Sequence, residues 1–355
     1  MARPFHFALV GFGNIGTGVV AHWRQHRALL ESRVGRPVVL KAICDIDLKT
    51  DRGVSTEGVT LTSNMDEVIG DPAIDCVIEL IGGTRIARTL VEKALGARKH
   101  VVTANKALIA ETGRELFDLA ERNGVALLYE ASVGAGIPLL KSLNGALLPN
   151  AITMVRGIVN GTTNFILSQM AATPGLGYEE VLKEAMRLGY AEPDPTLDVN
   201  GGDAAHKIAI LGAMAFGGDR RASDVVREGI TNVDSEDFDF ARGRRHTIKL
   251  VAGAYLTPAG VELSVWPTFV SVDHPLGATH GVLNCIEIVG DPMGSMTAIG
   301  AGAGKGSTSS GVLSDVLQVA LFDNAEMLLR AQPLRPNAPR PSIRSEEHTS
   351  ELQSP

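Results

Sequence analysis

The chain has 355 residues, 45% hydrophobic and 21% charged, enough for two domains and a sizeable core. A net charge of -7 without a basic stripe argues against nucleic acid, because phosphate contacts need clustered Lys and Arg. Three scattered cysteines (Cys44, Cys76, Cys285) offer neither a disulfide framework nor a zinc site; the start MARPFHFALVGFGNIG has no signal-peptide pattern, and no run of about 18 apolar residues marks a membrane span. The expectation is a small-molecule enzyme of a reducing cytoplasm, neither exported nor anchored.

Residues 7–10 form an apolar strand that ends in Gly11-Phe12-Gly13-Asn14-Ile15-Gly16, after which Val19, Val20 and Trp23 begin a helical pattern. Strand, glycine turn and helix in that order suit a dinucleotide: the glycines allow a tight turn and close approach of a pyrophosphate, which helix N-terminal N–H groups hold. A second strand, residues 38–44, ends in Asp45. An acid there accepts the ribose hydroxyls of NAD and repels the extra phosphate of NADP; the other reading is a turn carboxylate. Asp45 lies further from the glycines than the usual spacing of about 20 residues, because the first helix and its loop are long. Lys49 and Arg52 follow closely and could bind a 2′-phosphate, so NAD is only slightly favoured and dual use stays open.

Strands at residues 76–80, 100–103 and 126–129 alternate with helices at 87–97 and 112–123. That alternation predicts an α/β fold with a Rossmann-type, doubly wound parallel sheet. Lys106, in Thr103-Ala104-Asn105-Lys106, follows one of these strands at the ligand-binding end of such a sheet; a solvated helix N-terminus is the plain alternative.

From about residue 137 the pattern changes. Strands at 152–159, 249–255, 261–267, 281–289 and 296–301 interleave with helices at 165–172, 178–189 and 203–216, which predicts a second, mixed α+β domain for substrate binding and dimerisation. The expected division is 1–136 for the dinucleotide, 137–310 for the substrate, and a helix over 311–332 that returns to the nucleotide domain. Asn160-Gly161-Thr162-Thr163-Asn164 puts amide and hydroxyl groups at a strand-to-helix junction, suited to a substrate carboxylate or the nicotinamide ribose. Read as a glycosylation sequon it is void in a cytoplasmic protein.

Residues 188–207, LGYAEPDPTLDVNGGDAAHK, bring four acids and a lysine into a Gly- and Pro-broken loop that runs into a helix. Asp203 is expected as the N-cap, with Ile208, Ile210, Leu211, Met214 and Phe216 buried behind it. Asp203 and Lys207 then share a face at i,i+4 spacing. An exposed pair of this kind contributes only about 0.3 to 0.5 kcal/mol. The later run GAGAGKG (residues 300–306) is not a P-loop, since Ile299 stands in the first glycine's place and Gly306 in the hydroxyl's.

The stretch from Ala185 also resembles the signature of homoserine dehydrogenases, with Ala185, Gly189, Tyr190, Ala191, Asp194, Pro195, Asp198, Val199, Gly201, Asp203 and Lys207 all in place. VGFGNIG, VVTANKALIA, YEASVGAGIPLL, IVNGTTNFIL and GAGAGKGSTSSGVLSDVL are similar to the family's other blocks in the family's order, over about residues 5–330. The resemblance implies reduction of L-aspartate 4-semialdehyde to L-homoserine with NADP or NAD, by a homodimer. It implies Lys207 as proton donor, Lys106 in contact with nicotinamide and substrate, and Glu192 and Asp203 as homoserine-binding acids. Asp198 would support the site's network, a purely structural role being its rival reading, Asn160 and Thr162 would serve the substrate, and Gly189 and Gly304 would let backbone approach the cofactor, plain turn geometry being their rival reading. Two lysines at one carbonyl oxygen would repel, depressing the pKa of at least one. Glu130, Val133, Ala135 and Ile137 match a monovalent-cation site of one carboxylate and main-chain carbonyls, suited to a structural sodium ion, an empty loop being the other reading. Gly202 stands where family members often carry a bulky residue, which would loosen the loop.

Two rivals remain at this point. Aspartate semialdehyde dehydrogenase needs a nucleophilic cysteine, and none of the three is well placed. A silent NAD-sensing protein could lose Lys106, Asp203 and Lys207, and this chain has all three. The tail after about Pro333 is polar and Pro-rich, expected to be disordered, and RSEEHTSELQS (residues 344–354) looks like a translated sequencing adapter. The chain would then stop where bacterial relatives carry a threonine-binding ACT domain; finding these codons in genomic DNA would exclude the adapter reading.

Overall fold

Alternate residues of the first strand serve two cores: Phe7 and Leu9 belong to one, Ala8 and Val10 to the other. Such a strand must be covered on both faces, as parallel α/β sheets require. The computed structural model, which describes residues 3–322, shows that sheet. Its strands are β1 (Phe5–Val10), β2 (Val38–Cys44), β3 (Thr60–Thr62), β4 (Cys76–Glu79), β5 (His100–Thr103) and β6 (Leu127–Leu128), all parallel, in the order β3-β2-β1-β4-β5-β6. The helices between them are α1 (Asn14–Val34), α2 (Met65–Gly70), α3 (Arg85–Gly96) and α4 (Lys106–Asn123). Strand order reverses beside β1, so the crevice outside the carboxyl ends of β1 and β4 is the ligand position of an open α/β sheet.

After the short α5 (Leu139–Leu143), a second sheet is built from β7 (Ala151–Ile158), β8 (Val226–Arg227), β9 (His246–Thr257), β10 (Gly260–Ser271), β11 (Leu283–Asp291) and β12 (Gly294–Ala301). Its order is β12-β11-β7-β9-β10-β8, antiparallel except for the β10–β8 pair. The remaining helices are α6 (Gly161–Ala172), α7 (Tyr178–Arg187), α8 (Thr196–Val199), α9 (Gly202–Phe216), α10 (Ser235–Arg242), α11 (Pro275–Ala278) and α12 (Lys305–Leu321). α9 is apolar on most sides and packs on β9 and β10 one way and α4 the other. Through that contact the two sheets share one site.

Two expectations need correction. The last helix begins at Lys305 rather than Gly311, because two polar residues near its start are buried: Ser309 fully and Thr308 nearly so, with Ser309 against Gly18 of α1. A search for apolar periodicity passes over such a turn; the part expected beyond residue 322, and the tail with its adapter-like segment, lie outside the described residues. Asp203 is not an N-cap. Gly201 (φ 78°) holds that position without a side-chain cap, and Asp203 lies in the first turn, its carboxylate committed elsewhere.

His100 supplies a pH test of the fold. Its Nδ1 accepts the Ala126 N–H (3.0 Å), and burial, opposed by Asp75, lowers its pKa to about 4. The unfolded chain would protonate this ring near pH 6.5 while the fold keeps it neutral, so stability is full above about 6.5 and falls as pH drops toward 4. The loss is at most about 3 kcal/mol. The melting temperature of His100→Asn should fall less steeply over that window than the wild type's; parallel slopes would contradict this role.

Candidate active site

The glycine turn after β1 is shaped for close approach. A Cβ on Gly11 (φ 100°) would lie 2.5 Å from the Leu80 carbonyl carbon and oxygen, and one on Gly16 would lie 2.3 Å from the Gly11 oxygen. Gly13, by contrast, has nothing within 4 Å of its Cβ position and precedes α1 without a side-chain cap. Open backbone at an uncapped helix N-terminus, where Asn14 and Ile15 begin the first turn, fits a pyrophosphate. Beside it lies a cavity of about 670 Å³ lined by Gly11, Gly13, Asp45, Arg52, Leu80 and Ile81, among others.

Asp45 has two tasks in this cavity. It lines the cavity wall, and it accepts the Phe12 N–H (2.5 Å) and the Asp47 N–H (2.8 Å). Arg52 stacks on the Phe12 ring at 5.5 Å and approaches Asp45 at 3.5 Å. Lys49 is exposed and does not line the cavity. An acid and one guanidinium therefore share this cavity.

Two strands along the same sheet edge, β5 leads into Lys106. Asn105 caps α4 through Leu108 N (3.1 Å) and donates to Gly83 O (2.6 Å), tying the loop after β4 to the start of α4. Glu79, fully buried, holds both ends of this tie: one oxygen accepts Ile81 N and Gly82 N (2.8 and 3.2 Å), the other Thr103 Oγ1 (2.6 Å). The sequence reading missed Glu79; an acid closing the apolar run Cys76-Val77-Ile78 was its available signal.

Lys106 Nζ lies 3.1 Å from Asp203 Oδ1, and Lys207 Nζ lies 2.7 Å from Asp203 Oδ2. Asp203 is 5% exposed and Lys207 8%, so this is a buried cluster rather than a surface pair. Lys207 also donates to Val159 O (2.6 Å), while Asn160 Nδ2 reaches Asp203 Oδ2 and Asp198 Oδ1, each at 2.8 Å. Asn160 Oδ1 caps α6 through Thr163 N, and Thr162 Oγ1 donates to Tyr190 O (2.7 Å). Burial alone would raise the Asp203 pKa; Lys207 first, then Lys106, with the Lys207 and Asn160 hydrogen bonds, hold it well below the usual carboxylate range. The carboxylate is ionised at any working pH.

Other expected residues stay apart from this cluster. Glu192 is exposed and makes no hydrogen bond among the described residues. Gly189 (φ 75°) ends α7 and Gly304 (φ 112°) precedes α12; neither lines the cavity. Gly202 is tightly placed rather than loose: a Cβ there would meet Leu197 Cδ1 at 2.7 Å and Asn200 Oδ1 at 2.9 Å. Just after β6, buried Glu130 accepts Leu140 N (3.1 Å) and Lys141 N (2.8 Å), while Asp315 accepts Glu130 N (2.8 Å) and pairs with Lys141 (2.9 Å). Burial first, then Asp315, push Glu130 up to about 7. Gly134 and Ala135 are both left-handed (φ 73° and 48°), which curls the Val133 to Ile137 loop beside it. All three cysteines are buried, and burial raises each thiol, so none is an activated nucleophile.

A hydride-transfer enzyme needs a dinucleotide at a sheet edge and a proton donor at the same edge, and this fold has the makings of both: its class is that of the nicotinamide-dependent oxidoreductases. The sequence pattern of the homoserine dehydrogenase NAD-binding domain matches residues 11–130, and that of the homoserine dehydrogenase family matches residues 138–317. The chain is 42% identical over 317 residues to homoserine dehydrogenase of Bacillus subtilis, covering 89% of this chain and 73% of that one. A crystal structure of homoserine dehydrogenase from Thiobacillus denitrificans superposes with a TM-score of 0.89 at 38% identity, covering 94% of this chain and 78% of that one. A hyperthermophilic archaeal homoserine dehydrogenase in complex with NADPH superposes with a TM-score of 0.76 at 26% identity, covering 91% and 100%. The chain belongs to the homoserine dehydrogenase family. Its reaction is the nicotinamide-dependent reduction of L-aspartate 4-semialdehyde to L-homoserine, a step of threonine, methionine and isoleucine biosynthesis.

Proposed function

We propose that Lys207 delivers the proton of this reduction and that Asp203 holds it, with Lys106, in the working position. The bound nicotinamide supplies the hydride to the substrate's C4. The electron pair of the carbonyl then passes to its oxygen, and Lys207 Nζ protonates that oxygen, taking the proton back in the reverse direction. Lys106, at the sheet edge that carries the glycine turn, contacts both nicotinamide and substrate and offsets charge on the oxygen. The observation that carries this reading is the single buried carboxylate shared by two ammonium groups.

Asn160 and Asp198 steady Asp203, and Thr162 joins Asn160 in supplying polar groups to the substrate. Glu192, unengaged on its exposed loop, receives the substrate ammonium together with Asp203. Residues 11–16, with Gly189 and Gly304, admit the cofactor backbone. With Asp45 and Arg52 at the adenosine end, the enzyme uses either NAD or NADP.

The 130–137 loop holds a structural sodium ion through the Glu130 carboxylate and the carbonyls of Val133, Ala135 and Ile137. Support comes from charge: Glu130 and Asp315 are buried together with Lys141 as their cation. Homodimerisation uses the outer face of the second sheet, where Trp266 and Ile299 share a face and are 40% and 53% exposed; the sedimentation mass tests it. Buried thiols fit a reducing cytoplasm, and among the described residues no helix is long and apolar enough to cross a membrane.

Lys207→Ala should lower kcat with L-aspartate 4-semialdehyde by roughly 100-fold or more, with NADPH and with NADH, while dinucleotide binding survives. Turnover within tenfold of wild type would remove Lys207 from the proton step. Sodium chloride should raise the melting temperature above that in choline chloride, and Glu130→Gln should abolish the difference; equal melting in both salts would refute the ion site.

A further inference from the structure

Helix α6 begins at the catalytic cluster, where Asn160 caps it, and ends at a separate cavity of about 430 Å³. That cavity lies between α6, α10, the start of β9 and the turn after α11. Ala171, Ala172, Phe238 and Val272 give it an apolar wall, while Arg242, His246 and His280 stand around it and no acid lines it. Arg242 pairs with Asp239 on its own helix (2.7 Å).

Two buried groups in and beneath this cavity are incompletely matched. Thr247 lines it, is 6% exposed, and its Oγ1 has no hydrogen-bond partner. A buried hydroxyl left unpaired is costly, and one at a cavity wall invites an acceptor from a ligand. Two residues along β9, on the same face, Lys249 is 1% exposed. Its Nζ donates to Asn164 Oδ1 (2.9 Å), Ser168 Oγ (3.2 Å) and Thr279 O (2.6 Å), all neutral, and among the described residues no carboxylate lies within 4 Å. Burial lowers its pKa to about 8, so it is largely charged at neutral pH. A buried cation with only neutral acceptors favours an anion nearby.

We propose that this cavity binds a small carboxylate with a short aliphatic body. The carboxylate accepts from Thr247 Oγ1 under the field of Lys249 and Arg242, and the aliphatic part lies against Phe238 and Val272. An inorganic oxyanion would satisfy the cations but leave that wall against water. The site is distinct from the catalytic cluster yet near it in the fold: Asn164, which holds Lys249, is one helical turn from Asn160, which holds Asp203.

Calorimetric titration of the full chain with sodium butyrate, at constant ionic strength, tests this against inorganic phosphate. Wild type and Lys207→Ala should both bind butyrate saturably and more tightly than phosphate, and Thr247→Val should weaken it about tenfold. If Thr247→Val fails to fold, Arg242→Gln on the exposed rim takes its place with the same expectation. Absence of saturable binding, or equal binding by the pocket variant, overturns the site. Loss of binding in Lys207→Ala would place the carboxylate in the catalytic centre instead, and phosphate binding as tightly as butyrate would overturn the carboxylate assignment.

Discussion

One buried carboxylate organises the cluster where the two halves of this enzyme meet. Asp203 stands between the ammonium groups of Lys106 and Lys207, with Asn160 donating to it from a third element. Desolvating such charges costs several kcal/mol per ion, and the attraction offsets this only where geometry and hydrogen bonds are complete. Each member therefore depends on the others: removing Asp203 would leave two cations facing each other at a half-dry site. Both lysines reach the same carboxylate, so an acid lies between them.

That constraint explains the arrangement of the two sheets. Lys106 opens α4, which follows a strand of the parallel sheet; Asp203 and Lys207 lie on α9, which packs on the antiparallel one. The contact of α4 with α9 brings the cation of one half to the acid of the other. On the nucleotide side, Glu79 has a comparable task at smaller scale, fixing the loop after β4 and Thr103 at the end of β5. The edge that receives the cofactor and the residue that opens α4 are thereby held by one side chain.

Much of this was legible in the sequence because it rests on local rules. The glycine turn needs backbone that only Gly supplies, the strand Val38–Cys44 is apolar but for Lys41, and i,i+4 spacing alone puts Asp203 beside Lys207. What stayed hidden depends on tertiary contact. Nothing local says that Asp203 forgoes capping to bridge two lysines, or that the Ser- and Thr-rich start of α12 is buried against α1. Glu79, Thr247 and Lys249 likewise gain meaning only from elements far away in the chain. Gly202 shows the reverse: its expected looseness disappears once Leu197 and Asn200 close around it.

The most direct test of Asp203 as the shared anchor is a double-mutant cycle on kcat/KM for the reduction of L-aspartate 4-semialdehyde, using Asp203→Asn, Lys106→Ala and the double variant. If the carboxylate and the lysine act as one unit, the double variant loses far less than the sum of the single losses, by more than about 0.5 kcal/mol of coupling. Losses that add within that margin would show that Asp203 does not position Lys106, and the account of the site would have to be rebuilt around Lys207 alone.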